Sequence, residues 1–164
     1  MVDIDLDETD FEILRQLDEN GDVDVEHLSD ELDVSQSTVY YRLEKYRDQG
    51  ILKGKVADLD ARKLGFELTA ITEIKSDYGP GYEELGEKLG NMSGVRQVFF
   101  MLGEMSFVVI SKVRGHEHLQ QLITQMIETD GVENSSTHVV LQTIKDEPRL
   151  LVNYDEEDLH SLTD

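Results

Sequence analysis

Three helix-forming segments between residues 6 and 50 constrain the fold of this chain more than any other feature. Each segment follows an Asp or Ser residue of the type that caps helix N-termini. These candidate caps are Asp7, Asp24 and Ser35. Only a short break, Asp33-Val34, separates the second segment from the third. This arrangement predicts a helix-turn-helix, whose last helix is presented to the major groove of DNA.

The apolar residues of these segments recur at helical spacing, which predicts a small three-helix core. The residues expected in it are Phe11, Ile13, Leu14, Leu17, Val25, Leu28, Leu32, Val39, Leu43 and Tyr46. Gly21 and Gly50 are expected to end the first and third helices. Residues 51–56 then predict a short β-hairpin that turns at Gly54 and forms a wing. The expected boundaries are residues 1–60 for a winged helix-turn-helix domain and residues 61–66 for a linker.

The second half of the chain alternates strand-like and helix-like patterns in the order β-α-β-β-α-β. The expected strands are 68–74, 95–102, 107–113 and 137–144, and the expected helices are 82–89 and 118–127. This order is that of a ferredoxin-like fold, so we expect the whole chain to be α+β. We place this second domain at residues 67–148. Residues 149–164 are an acidic tail that either adds an edge strand or stays mobile.

The composition is strongly acidic, with 36 Asp and Glu residues against 15 Lys and Arg residues and a formal net charge of −21. That sign opposes binding to the phosphate backbone of DNA. The acidic residues are spread along the chain, which favours adaptation to a high-salt cytoplasm, where charges are screened within about 3 Å at 1 M salt. The alternative is an ordinary acidic protein that its charge keeps in solution.

Several classes of protein are excluded by what the sequence lacks. It has no Cys, which excludes disulfides and thiolate metal sites. No apolar run approaches the roughly 20 residues of a membrane span, and the acidic start lacks the apolar centre of a signal peptide. His116 and His118 do not share a helical face, which argues against a metal site. We expect a cytoplasmic protein without cofactor, metal or enzymatic activity.

Basic residues concentrate around the third helix and the wing, because residues 42–63 hold seven Lys and Arg against four Asp and Glu. Hydroxyl, amide and phenol groups on that helix can bind phosphates and base edges. The candidate DNA contacts are Ser35, Gln36, Ser37, Thr38, Tyr40, Tyr41, Arg42, Lys45, Lys53 and Lys55. Tyr40 and Tyr41 cannot both face the core, so at least one ring is expected to be available. Other roles compete, since Ser35 can serve only as a cap, Lys45 can complement the helix dipole and a tyrosine can pack under the wing.

An ordered set of residues over both halves of the chain resembles the Lrp/AsnC family of prokaryotic transcription regulators. The matching stretches are Leu6-Asp7, Asp10, Ile13-Leu14, Leu32 to Ser35, Arg42-Leu43, Gly50-Ile51, Val98 to Gly103, Gly131-Val132 and Thr137 to Leu141. The resemblance implies a homodimer, often assembled into an octamer, that binds promoter DNA and responds to an amino acid or similar small effector. Together with the acid excess, it implies a halophilic archaeal source.

The resemblance also implies an effector site in the second domain, at a loop that in the family often runs Gly-Asp-aromatic-Asp. This chain has Gly103-Glu104-Met105-Ser106 there, without the second carboxylate. A tight β-turn is an equally good interpretation of the loop. Two strand residues, Thr137 and His138, are further candidates, and His138 is either a surface residue or part of the pocket. The main alternative function is a small-molecule-binding assembly protein whose helix-turn-helix contacts protein rather than DNA.

Overall fold

The chain folds into two compact units in a computed structural model that describes residues 6–76 and 81–160. The first unit comprises Met1–Asp58 together with Lys145–Asp164, and the second comprises Leu59–Ile144. The first unit is therefore discontinuous in sequence, because the chain leaves it after residue 58 and returns to it at residue 145. None of the described helices is long and apolar enough to span a membrane.

The three predicted helices of the first unit form, and each begins at the predicted cap. They span Glu8–Asn20 (α1), Val25–Glu31 (α2) and Gln36–Asp48 (α3). The side chains of Asp7, Asp24 and Ser35 each accept hydrogen bonds from backbone amides of the first helical turn. Gly21 ends α1 as predicted, because its φ of 70° is a left-handed conformation that glycine adopts without a Cβ penalty. Local sequence signals were sufficient to place these helices.

Apolar residues from all three helices form the core of the first unit. Its buried members are Ile13, Leu17, Leu28, Val39, Leu43 and Tyr46, all of them predicted. Phe11, which we also expected in the core, is only half-buried. Asp10 is buried beside the core, which the apolar pattern did not predict. A buried carboxylate needs hydrogen-bond or ionic partners, and those partners define the site described below.

The wing is a loop and not a paired hairpin. Residues 51–60 lie entirely within the described part of the chain, and none of them pairs as a strand. The amide of Leu52 donates to the carbonyl oxygen of Tyr46 at 3.0 Å, which attaches the start of the segment to α3. Val56, beyond the turn at Gly54, is almost fully exposed. Two arms of about three residues bury too little apolar surface to hold a two-stranded hairpin without further packing.

The second unit has the predicted β-α-β-β-α-β order and is ferredoxin-like. Its elements are β1 (Leu68–Lys75), α4 (Tyr82–Gly90), β2 (Val95–Phe100), β3 (Phe107–Val113), α5 (His116–Ile127) and β4 (Asn134–Val139). The strands form one antiparallel sheet in the order β2-β3-β1-β4. Alternate residues of β1 and β3 pack with residues of α4 and α5 on one face of the sheet.

The last strand lies earlier in the sequence than the predicted 137–144. It starts at Asn134, in a polar stretch with little intrinsic strand preference, because β1 offers it a partner there. The final ladder contact is the amide of Val140, which donates to the carbonyl oxygen of Thr69 at 2.8 Å. Since β1 begins at Leu68, the chain beyond Val140 has no strand left to pair with, and the side chain of Leu141 is fully exposed.

The acidic tail packs on the first unit instead of adding a strand. Its described residues form a 3-10 turn at Leu151–Asn153 and a short helix, α6, at Glu156–His160. The amide of Leu151 donates to the Asp18 carboxylate of α1 at 2.6 Å, and the Leu159 side chain is buried. The tail therefore extends the surface of α1 at the C-terminal end of that helix.

Candidate DNA-binding surface and effector region

The first turn of α3 presents a cluster of hydroxyl groups to solvent. The Ser35 hydroxyl accepts a hydrogen bond from the Thr38 amide at 3.1 Å and also lies 2.8 Å from the hydroxyls of both Ser37 and Thr38. Gln36 lies in the same turn and is exposed. Ser35 thus caps the helix as expected. A hydroxyl group can donate one hydrogen bond and accept two, so the cluster keeps capacity for an external partner.

Tyr40 and Tyr41 of α3 point away from the core, unlike Tyr46 of the same helix, which is buried. Tyr40 is 57% exposed and Tyr41 is 68% exposed, because Val39 and Leu43 occupy the buried face of the helix. At least one ring was expected to be exposed, and both are, while contact of either ring with DNA stays a prediction. Each of these exposed side chains offers both an aromatic surface and an oxygen that can form hydrogen bonds.

The predicted cationic residues have different surroundings. Lys53 is exposed on the wing. Lys55, on the same loop, forms an ion pair with Asp22 at 2.5 Å, which lowers the pKa of the Asp22 carboxyl. Lys45 is half-buried on α3 and lines a cavity of about 280 Å³ together with Tyr41. Lys55 is therefore held toward the turn that follows α1, while Lys45 lies on α3 and Lys53 on the wing.

Arg42 is held inside the first unit by two carboxylates. Its guanidinium donates to both oxygens of Asp7 at 2.8 Å each, and it forms an ion pair with Asp10 at 2.5 Å. The Tyr46 hydroxyl donates to Asp10 at 2.6 Å. The hydrogen bond to Arg42 lowers the pKa of Asp7, while burial and the neighbouring Asp10 raise the pKa of Tyr46. All these partners belong to the same chain. Contact of Arg42 with DNA stays a prediction.

Sequence reasoning did not find this Arg42 network, which consists of Asp7, Asp10, Arg42 and Tyr46. Asp7 was predicted as a cap, and Asp7 and Asp10 both belong to the family resemblance, but neither was predicted to bind Arg42. The signal that could have found it is the pair of Asp residues three positions apart at a helix start. Such a pair forms a capping box when each side chain accepts the other's amide, as Asp7 and Asp10 do here.

The predicted effector loop is divided between exposed and buried residues. Gly103 and Glu104 are exposed. Ser106 is fully buried, and its hydroxyl donates to the carbonyl oxygen of Ser76 at 3.0 Å and accepts from the Ser76 amide at 3.1 Å. A further bond, from the Met101 amide to the Ser106 carbonyl oxygen at 2.8 Å, closes the loop. Ser106 therefore fixes the loop to the end of β1, while Gly103 and Glu104 project from it.

The two strand candidates do not form one cluster. The hydroxyls of Thr137 and Thr72 lie 3.0 Å apart, and Thr72 is buried on the helix-covered face of the sheet. His138 is exposed and lies 3.4 Å from the Ser136 hydroxyl. Consecutive strand residues point to opposite faces, so Thr137 and His138 serve different sides of the sheet. Among the described residues, no group of three or more His, Asp or Glu side chains is arranged to hold a metal ion.

Comparison with known proteins matches both units. The family model of the Lrp/AsnC ligand binding domain matches residues 69–150, and a model of winged helix-turn-helix DNA-binding domains matches residues 6–53. An uncharacterised HTH-type transcriptional regulator of Pyrococcus furiosus is 33% identical over 147 residues, covering 90% of this chain and 99% of that protein.

Solved structures give the same result. AsnC of Escherichia coli is 25% identical with a TM-score of 0.80, covering 86% of this chain and 95% of its own. A transcriptional regulator of Neisseria meningitidis, solved as a complex with L-Met, shares the fold at 24% identity and a TM-score of 0.81, covering 90% of this chain and 97% of its own. With a helix-turn-helix that presents α3 and a ferredoxin-like ligand-binding unit, this chain belongs to the Lrp/AsnC family of transcription regulators.

Proposed function

We propose that α3 enters the major groove of DNA and that its first turns read the sequence. The observation that carries this proposal is the sharp division of the helix between two faces. Val39 and Leu43 fix one face in the core, while Gln36, Tyr40 and Tyr41 are exposed on the other. Glutamine can form two hydrogen bonds with adenine, and tyrosine rings can contact thymine methyl groups and sugars.

The phosphate contacts are proposed to come from the cationic surface of α3 and the wing. Lys45, Lys53 and Lys55 supply the positive charge, and the hydroxyl cluster at Ser35 supplies neutral donors. For a chain of net charge −21 we propose a high-salt cytoplasm, where released counterions contribute little to affinity. Binding that weakened steeply between about 1 and 3 M KCl, as ordinary counterion release predicts, would contradict this proposal.

The chain is proposed to act as a dimer, which can assemble further into an octamer, so that two copies of α3 read a two-fold symmetric site. Support comes from the sheet of the second unit, where the described helices α4 and α5 pack on the same face. On the opposite face lie the half-buried Ile71 and Ile110, and near them Phe99, which is about half exposed. A second copy of the same face would remove these side chains from water.

An amino acid or related small molecule is the proposed effector, and the exposed part of the loop at Gly103 and Glu104 is its proposed contact. The Glu104 carboxylate can accept hydrogen bonds from an α-amino group. Gly103 is exposed and has no Cβ, so a ligand carboxylate can approach the loop closely there. The L-Met complex of the Neisseria regulator supports this class of ligand. The effector regulates by favouring one assembly or DNA-binding state over another.

Selection of binding sequences from a random DNA pool tests the proposed function directly. The purified full chain is incubated with the pool in about 2 M KCl, where screening matches the proposed cytoplasm, and bound sequences are determined. We expect enrichment of a palindrome. Binding without any sequence preference would favour the alternative, in which the helix-turn-helix contacts another protein.

The effector proposal is tested separately with Glu104→Ala. A thermal-shift screen of amino acids against the unaltered chain first identifies the ligand, which raises the melting temperature by mass action. We expect the variant to lose that shift and to keep the effector-free affinity for the selected palindrome. An unchanged shift would remove Glu104 from the effector site. Gln142→Ala is a matched control, since this exposed residue lies outside the loop.

A further inference from the structure

We propose that Arg42 is a positioning residue for DNA recognition, which orients α3 through Asp7 and Asp10 and does not itself bind phosphate. The inference rests on the proposed function, in which α3 reads DNA. It assigns Arg42 a different task from that expected for a cation on a recognition helix.

The two carboxylates are fixed in place independently of Arg42. The Asp7 amide donates to the Asp10 carboxylate at 3.0 Å, and the Asp10 amide donates to the Asp7 carboxylate at 2.8 Å. This reciprocal pair closes the first turn of α1, whose backbone then holds both side chains at known positions. Arg42 docks onto that fixed pair, with its planar fork matched to the two oxygens of Asp7.

Burial keeps the guanidinium in this position. The Asp10 side chain is 2% exposed and the Arg42 side chain is 19% exposed. If Arg42 moved to a phosphate, Asp10 would remain buried with the Tyr46 hydroxyl as its remaining side-chain donor. Leaving a buried carboxylate without its ionic partner is strongly unfavourable, so the internal ion pair competes well with an external phosphate.

The network adds a directional constraint to the packing of α3. Val39 and Leu43 already place one face of the helix in the core, but apolar packing has no preferred direction of contact. A bidentate ion pair has a preferred plane and direction, so it sets the rotation of α3 about its own axis. Since Tyr41 directly precedes Arg42, that rotation decides which side chains meet the bases.

The experiment compares Arg42→Met and Arg42→Lys with Lys53→Met, a matched variant that removes one charge from the wing. Affinities of the full chain for the selected palindrome and for a scrambled duplex are measured over a series of KCl concentrations. For both Arg42 variants we expect the ratio of specific to nonspecific affinity to fall about tenfold, roughly the contribution of one good base contact. The slope of log K against log[KCl] should stay unchanged.

Lys53→Met gives the contrasting result if it removes a phosphate contact. Its affinity should fall for both duplexes alike, and its slope should become shallower, by at most about 0.9, the full value for one phosphate contact. Arg42→Lys separates the two roles most directly, because it keeps the charge that a phosphate needs and loses the fork that Asp7 needs. Wild-type binding by Arg42→Lys, or a shallower slope for Arg42→Met, would overturn the inference.

Tyr46→Phe provides a second test that does not depend on the folding of the Arg42 variants. Tyr46 is fully buried, so its hydroxyl cannot reach DNA and can act only through Asp10 and Arg42. We expect this variant to lose part of the specificity ratio with no change in slope. An unchanged ratio would overturn the inference. Absence of specific binding by the unaltered chain would overturn the proposed function as well, so the two failures are distinguishable.

Discussion

Replacing Asp7 and replacing Asp10 with asparagine should lower the free energy of unfolding by very different amounts. Asp7→Asn and Asp10→Asn each remove one negative charge, keep the side-chain shape and take one ionic partner from the same guanidinium. They differ in burial, because the Asp7 side chain is 56% exposed and the Asp10 side chain is 2% exposed. The comparison therefore shows how burial of the carboxylate changes the contribution of an ion pair with Arg42.

The magnitudes follow from that difference. An exposed ion pair contributes about 0–1 kcal/mol, and asparagine caps a helix as well as aspartate does, so Asp7→Asn should lower the free energy of unfolding by less than about 1 kcal/mol. Removing one partner of a buried pair costs about 3–5 kcal/mol. Arg42 keeps some contact with solvent and Tyr46 keeps an acceptor, so Asp10→Asn should cost about 3 kcal/mol, at the lower end of that range.

Equilibrium urea unfolding of the full chain, followed by circular dichroism at constant pH and KCl, measures both values. Urea carries no charge and leaves the screening of this acidic chain unchanged. The dependence of the free energy on urea should be the same for both variants, since neither changes the surface exposed on unfolding. Equal losses for Asp7→Asn and Asp10→Asn, within about 0.5 kcal/mol, would refute the assignment of Asp10 as the buried anchor of α3.

Three further predictions concern acid pH and the tail. Because the hydrogen bond with Arg42 lowers the pKa of Asp7 below 3.8, this pair stabilises the fold above pH 3.8, and its contribution is lost as the pH falls further. In acid titrations followed by circular dichroism, Asp7→Asn should therefore flatten the decline of stability below about pH 4. The Arg149 hydrogen bond lowers the pKa of Glu147 to about 2, so carboxyl-carbon NMR should find an ordinary glutamate value in Arg149→Met. Asp18→Ala should increase hydrogen exchange at the Leu151 amide, and unchanged exchange would contradict docking of the tail on α1.

Local signals predicted the helices and most of the core. Asp7, Asp24 and Ser35 act within one turn of the residues that they cap, so their effect is visible in a short stretch of sequence. The same holds for Val39 and Leu43, whose spacing directly reports a buried face. The order of strands and helices in the second unit followed from similar periodicities.

Features that depend on distant partners could not be predicted in this way. Arg42 meets Asp7 across 35 residues, and no periodic pattern links two polar side chains so far apart. Sequence therefore showed a cation on a recognition helix, and only the fold showed that Asp10 and Tyr46 surround it. The end of β4 was missed for a related reason, since the length of β1 decides where pairing stops and the apolar residue Leu141 follows that end.

The return of the tail to the first unit makes the second unit an insertion within the first. The hydrogen bond between Asp18 and Leu151 joins residues 133 positions apart, with the whole ferredoxin-like unit between them. While that unit is folded, it holds the ends of the intervening chain at a fixed separation; when it unfolds, the tail must find α1 from the end of a long flexible loop. Unfolding of the second unit would therefore weaken docking of the tail on α1. The two units are thus linked through chain entropy, without the need for a rigid contact between them.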